Sequence, residues 1–205
     1  AIERDELRLD FQPKVDIKTG AVTGAEALVR WRNPELGLVS PADFIPLAEE
    51  TGLIVPIGEW VLHSACTQAS AWRRGGHPLT MAVNLSARQF RQKNLCDIIK
   101  QTLADTQLSA EFLELEITES MIMHRAEQAI ATLQQLHDIG LTLSVDDFGT
   151  GYSSLSYLKR FPVHNLKVDQ SFVRDLHKNA DDAAIVRAVI ALAKSLNLKT
   201  IAEGV

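Results

Sequence analysis

Short β-rich apolar runs recur along the 205-residue chain, most of them separated by an amphipathic stretch long enough for one helix. No other feature constrains the fold as strongly, because repeated strand–helix–strand units imply a largely parallel sheet. The runs end near Pro13, Leu28, Leu85, Ile117, Asp146, Val168 and Glu203. The first two, LRLDFQPKVDI and AVTGAEALVRW, are joined only by KTG. That is too short for a crossover helix, so they should pair as an antiparallel hairpin and set the first strand against the others. Helix starts are legible at SPAD, residues 40 to 43, with a Ser cap before a Pro, and at SARQ, residues 86 to 89, a capping box. An eight-stranded α/β barrel usually takes roughly 250 residues. The expectation is therefore an α/β fold, a TIM-like (β/α)8 barrel with an antiparallel first strand that lacks its last β/α unit. Residues 1–205 would form one domain, incomplete at its C-terminal end, with an unpaired sheet edge.

Composition excludes several classes. The chain is 46% hydrophobic and 23% charged, as expected of a globular domain that can bury a full core. A net charge of -5 with no Lys/Arg-dense run argues against tracking a long nucleic acid, while a small phosphorylated ligand stays open. Cys66 and Cys96 lie outside any CxxC or Cys/His spacing and read as free thiols, which suits a cytoplasmic location. No apolar run reaches the roughly 18 residues of a membrane span, so this segment is expected to make no membrane contact, even within a larger anchored protein.

Polar residues stand at or just beyond successive strand ends: Glu26, Asn84, Glu116, Asp146 with Asp147, Lys167 and Glu203. Any one of them alone reads as a solvated edge, but in a parallel α/β sheet all six ends would open on one mouth. The neighbouring acids of SVDDFGTGYSS, residues 144 to 154, repel each other unless a cation neutralises them. Every candidate ligand offers oxygen and no His pair has metal spacing, which favours Mg²⁺ or Mn²⁺ over zinc. The negative charge suffices for two ions roughly 3.5 to 4 Å apart, an arrangement suited to in-line attack on a phosphodiester. Lys167 could steady the attacking water or the developing phosphorane charge, and Glu203 could take a proton. The same carboxylates or Lys167 could instead serve an enolase-like or Schiff-base barrel enzyme, which trapping of a lysine adduct would reveal. Gly149 and Gly151 let the loop after the acids turn tightly; the plainer reading is a glycine turn capped by Ser153. Trp31, Trp60, Trp72 and the apolar face of AAIVRAVIALAKSL read as packing.

At GAEALVRW, residues 24 to 31, the chain resembles the EAL-domain cyclic di-GMP phosphodiesterases. The likeness extends through FQP at 11 to 13, PADFIPLAEETG at 41 to 52, VNLS at 83 to 86, LELEITES at 113 to 120, DDFGTGYSS at 146 to 154, KVDQSF at 167 to 172 and AEGV at 202 to 205. The resemblance implies hydrolysis of cyclic di-GMP to linear pGpG with two Mg²⁺ or Mn²⁺ ions. It places Glu26, Asn84, Glu116, Asp146 and Asp147 at the metals and counts Glu26, Lys167 and Glu203 as catalytic. It assigns Gln12, Leu28, Arg30 and Asp169 to the substrate, and Glu119 to anchoring the loop after Asp147. It also implies a homodimer and fusion to sensory or GGDEF-type domains. Members of this family continue beyond EGV with a helix and a further strand. A non-catalytic cyclic di-GMP receptor or interaction module is the alternative from another functional class.

Overall fold

The computed structural model describes residues 1–150 and 155–205. Gly151 and Ser153, read above as a turn glycine and a helix cap, lie outside the described residues. The fold is mixed α/β and divides into two compact units, Ala1–Leu115 and Glu116–Val205.

The first unit is built on β1 (Leu7–Val15) and β2 (Val22–Asn33), which pair antiparallel with Gln12 opposite Glu26. The expected hairpin therefore forms, but its loop is longer than KTG and runs from residue 16 to 21. Asp16 fastens that loop: its Oδ1 accepts from the backbone N–H groups of Lys18 and Thr19 at 3.1 and 2.9 Å. β2 does not stop near Leu28 but continues through Asn33, where it pairs with the short antiparallel β3 (Gly37–Val39). The Asn33 side chain closes that turn by accepting from the N–H groups of Glu35 and Leu36 at 2.9 and 3.0 Å. β3 has too few residues to show an alternating pattern, so the sequence carries no sign of it.

α1 (Pro41–Thr51) begins as expected, with Ser40 accepting from the Ala42 N–H at 3.3 Å. α2 (Ile54–Arg74) buries Ile54, Val61, Leu62, Ala65, Cys66 and Ala69, a three-and-four spacing that lays one apolar stripe on the sheet. β4 (Thr80–Asn84) runs parallel to β2, with Glu26 beside Ala82. α3 (Ala87–Phe90) carries the expected capping box between Ser86 and Gln89, and α4 (Leu95–Thr106) follows. β5 (Leu113–Thr118) carries the chain into the second unit. Lys14 of β1 pairs with the buried Glu114 of β5 at 3.0 Å, although β2 and β4 stand between those strands in sheet order. In a flat sheet such strands would lie about 14 Å apart, so the sheet of this unit is strongly curled.

The second unit holds α5 (Glu119–Met123), α6 (Ala126–Asp138), β6 (Thr142–Phe148), α7 (Leu155–Leu158), β7 (Asn165–Val168), α8 (Gln170–Val173), α9 (Ala180–Ser195) and β8 (Lys199–Ala202). β6, β7 and β8 pair in parallel, with Ser144 beside Asn165 and Lys167 beside Ile201. β6 does not end at Asp146 as expected; it runs on to Phe148, with an irregularity in its pairing between Val145 and Phe148. α6 packs through Ala126, Ala129, Leu133 and Leu136. α9 fully buries only Val189 and Ala193 and leaves Ile185 and Ile190 partly exposed, so the apolar face read as packing is covered only in part.

Trp31 and Trp72 are packed as expected, edge-on against Phe44 and Phe11. Both cysteines are free, and burial pushes the Cys66 thiol up to about 12. Among the described residues no helix is long and apolar enough to cross a membrane.

Gly58, buried on α2, makes room for the Gln89 amide: a Cβ there would stand 2.1 Å from Nε2 and 2.4 Å from Oε1. Gln89 Oε1 accepts from the Ser86 N–H and hydroxyl at 3.2 and 2.8 Å, just beyond Asn84. Gly58→Ala will therefore displace the amide and cost the helix its cap, about 1–2 kcal/mol. A thermal melt should register a loss of about 2–6 °C. Adding Gln89→Ala to Gly58→Ala should cost little more, because both changes remove the same contact.

Candidate functional site

In the first unit, cross-strand partners of an antiparallel pair point to the same face, so register fixes which residues share a surface. One face of β1 and β2 carries Gln12 opposite Glu26, Asp10 opposite Leu28, and Arg8 opposite Arg30. Asn84, at the end of β4, donates from Nδ2 to Glu26 Oε1 at 2.7 Å. The structure thus joins Glu26 to Asn84 and sets Gln12 beside them in the ladder. Leu28 and Arg30 lie two and four residues further along β2, and Arg30 is engaged by Asp10 at 3.1 Å. Asp10 was missed in the sequence, although its place two residues before Gln12 puts it on the same face.

In the second unit the central group is Lys167, whose side chain is 1% exposed. An ammonium so deeply buried needs charge partners, and three carboxylates supply them. Its Nζ pairs with Glu116, itself fully buried, with Asp146 Oδ2 at 3.1 Å and with Glu203 Oε1 at 2.6 Å. These residues come from β5, β6, β7 and the residue after β8, the C-terminal strand ends where the sequence placed them.

In a regular strand, consecutive side chains point to opposite faces, which would part Asp146 from Asp147. Here Asp147 takes a left-handed backbone, φ 54°, within the irregular stretch of β6. Asp is among the few residues that tolerate this conformation, and an extra residue in a strand re-aims side chains. As a result Asp146, Asp147 and Glu203 each bring a carboxylate oxygen within 4.8 Å of the others.

Glu119, 2% exposed, accepts from the Gly149 N–H at 3.0 Å and so ties down the start of the loop after the acids. Gly149 has φ +102°, and a Cβ there would stand 3.2 Å from the Phe172 ring. Asp169 caps α8 and accepts from the Ser171 N–H at 2.9 Å and from its hydroxyl.

Burial, then the charges of Asp146 and Asp169, push the Asp147 carboxyl above its ordinary value, while Lys167 acts in the opposite sense. Burial alone would raise Asp169 too, but hydrogen bonds from Ser171 outweigh it and hold that carboxyl below its usual range. The donor set is hard oxygen and carries more negative charge than Lys167 offsets, so it fits a divalent cation of the Mg²⁺ or Mn²⁺ kind. Among the described residues of this unit, Asp146, Asp147 and Glu203 bring carboxylate oxygens close enough together to hold it.

The family model of the EAL domain matches residues 1–205. MucR of Pseudomonas aeruginosa, a bifunctional diguanylate cyclase/cyclic di-GMP phosphodiesterase, is 51% identical over 206 residues, 100% of this chain and 30% of its own length. PdeR of Escherichia coli, a cyclic di-GMP phosphodiesterase, is 46% identical over 205 residues, again 100% of this chain and 31% of its length. The chain thus spans less than a third of these relatives. Among solved structures, that of the PaMucR phosphodiesterase in complex with c-di-GMP superposes with a TM-score of 0.97 at 51% identity, covering 100% of this chain and 83% of that one.

The crowding at Asp147 has a testable sign. A carboxyl raised in the folded state adds stability below its unfolded value, and that stability is lost as pH rises through the folded value. At neutral pH the metal-free protein therefore carries an unfavourable anion. In EDTA, Asp147→Asn should raise the melting temperature by about 1–3 °C. Excess Mg²⁺ should raise the wild type more than the variant. A variant that melts lower than wild type in EDTA would show that the charge is not crowded.

Proposed function

The chain belongs to the EAL-domain family, and on that premise we propose that it hydrolyses cyclic di-GMP to linear pGpG, with two Mg²⁺ or Mn²⁺ ions as cofactors. The observation that carries this reading is the buried Lys167 amine bound by Glu116, Asp146 and Glu203 at the strand ends, with Asp147 turned in beside them. The likeness to MucR and PdeR, named as phosphodiesterases of this substrate, supports it. On this reading residues 1–205 act as an EAL phosphodiesterase domain. It would work as a homodimer within a longer signalling protein fused to sensory or GGDEF-type domains.

Glu26, Asn84, Glu116, Asp146 and Asp147 would hold the metals. When bound, these supply charge neutralisation and make a bound water acidic enough to attack at neutral pH. Water oxygen attacks one phosphorus, the bond to the 3′ oxygen breaks, and solvent supplies that oxygen with a proton to form the 3′ hydroxyl, which balances the proton that water gives up. Glu203 accepts the proton that water gives up, and the positive charge of Lys167 orients the water and meets the charge gathering on phosphorus. Glu26, counted as catalytic, is aimed by the Asn84 amide. Gln12, Leu28, Arg30 and Asp169 would contact the nucleotide, with the Arg30 guanidinium suited to a phosphodiester oxygen. Glu119 keeps the loop after Asp147 anchored through Gly149.

Chromatography of cyclic di-GMP incubated with the protein and Mn²⁺ or Mg²⁺ tests this directly, and pGpG is the expected product. Glu26→Ala should lower kcat at least about 100-fold with an unchanged melting curve. Tight binding with no product would instead favour a receptor, and full turnover by Glu26→Ala would remove the site from the mechanism.

A further inference from the structure

Arg8 and Arg30 lie directly opposite each other in the β1–β2 ladder, where like charges on adjacent strands repel. Asp10 stands between them and gives each a separate oxygen: Oδ1 lies 3.4 Å from Arg8 Nε and Oδ2 lies 3.1 Å from Arg30 Nε. Arg30 also donates from Nη1 to the carbonyl of Val29 at 3.0 Å, which leaves Asp10 as the charge that meets its guanidinium. This bracket shares a face with Gln12 and Glu26 and is open to solvent: Asp10 is 44% and Arg8 53% exposed, against 23% for Arg30.

A guanidinium binds a carboxylate and a phosphodiester through the same donors and in closely similar geometry. An ion pair this exposed is held weakly, because solvent screens it, so an incoming anion can displace it. At about 3.4 Å per residue, Arg30 is anchored about 14 Å along the strand from Glu26. Its long side chain therefore serves a part of the ligand away from Glu26. Cyclic di-GMP carries two phosphodiesters, so a group that is not being cut remains to be recognised.

We propose that Asp10 is a built-in counter-anion that competes with the substrate's phosphodiester for Arg30 and thereby sets how tightly the site takes its dianionic substrate. The proposal rests on the function stated above, since it takes Arg30 to meet the substrate. In the free protein Asp10 keeps both arginines paired and their mutual repulsion low. On binding, the substrate replaces Asp10 at Arg30 while Arg8 retains it.

Asp10→Asn keeps the shape and removes the charge. Steady-state hydrolysis of cyclic di-GMP by the purified protein should show KM lowered about two- to five-fold, with kcat/KM raised in proportion. The improvement should shrink as salt is raised. In an Arg30→Met background the same change should give little or no gain, which a general effect of net charge on substrate attraction would not predict. An unchanged or raised KM in Asp10→Asn, or a full gain without Arg30, overturns the proposal while leaving the phosphodiesterase assignment standing. A wild-type protein that neither binds nor cuts cyclic di-GMP overturns that assignment, and the proposal with it.

Discussion

The second unit is organised by the burial of an ammonium group. Removing a lysine amine from water costs several kcal/mol unless opposite charges and hydrogen-bond acceptors replace the lost solvent. Lys167 meets that requirement with three carboxylates drawn from three different segments, so β5, β7 and the ends of β6 and β8 are tied to one point. The dependence is mutual: the fully buried Glu116 carboxylate has the amine as its charge partner. Geometry here is therefore fixed by charge as well as by the apolar core, and the residues so fixed are those with chemistry to offer.

Asp147 departs from this balance. Strand geometry would send its side chain to the opposite face, and the left-handed backbone at φ 54° brings it back beside Asp146. Its carboxyl then sits above its ordinary value because burial and two neighbouring acids oppose its charge. A chain optimised only for stability would not combine an uncommon backbone conformation with a repelled anion. Such violations of local rules collect where binding requires them, and a divalent cation held there would offset the repelled charge.

Much of this was legible in the sequence because the signals were local and periodic. The strand ends at Asn84, Thr118 and Val168 fall within a residue of where alternation stops, and Ser40 and Ser86 announce their helices. Glu116, Asp146, Lys167 and Glu203 could be placed together because each follows from the same rule of parallel strands. What was not legible depends on pairing rather than on pattern. The extension of β2 to Asn33 exists because β3 pairs with it, and three residues give β3 no period of its own. The end of β6 was misplaced because the irregular pairing that carries the strand to Phe148 leaves no mark in composition. Gly58 reads as a tolerated helix glycine until Gln89 is found filling the space beside it.

Asp10 shows the same limit at the level of function. In sequence it is one exposed acid among many, and an exposed acid by itself is most often a solvated edge. Only the register that sets Arg8 against Arg30 gives it a task, since two cations held side by side require an anion between them. A protein that binds a dianion faces a choice between leaving its arginines unpaired, at a cost to the free state, and pairing them, at a cost to affinity. A partly exposed carboxylate sits between those extremes, because solvent screening keeps its hold weak enough to be displaced. The strength of that hold is set by charge and exposure at Asp10 and its two arginines alone, so affinity can be tuned there by a change that touches no other charged group of the ladder.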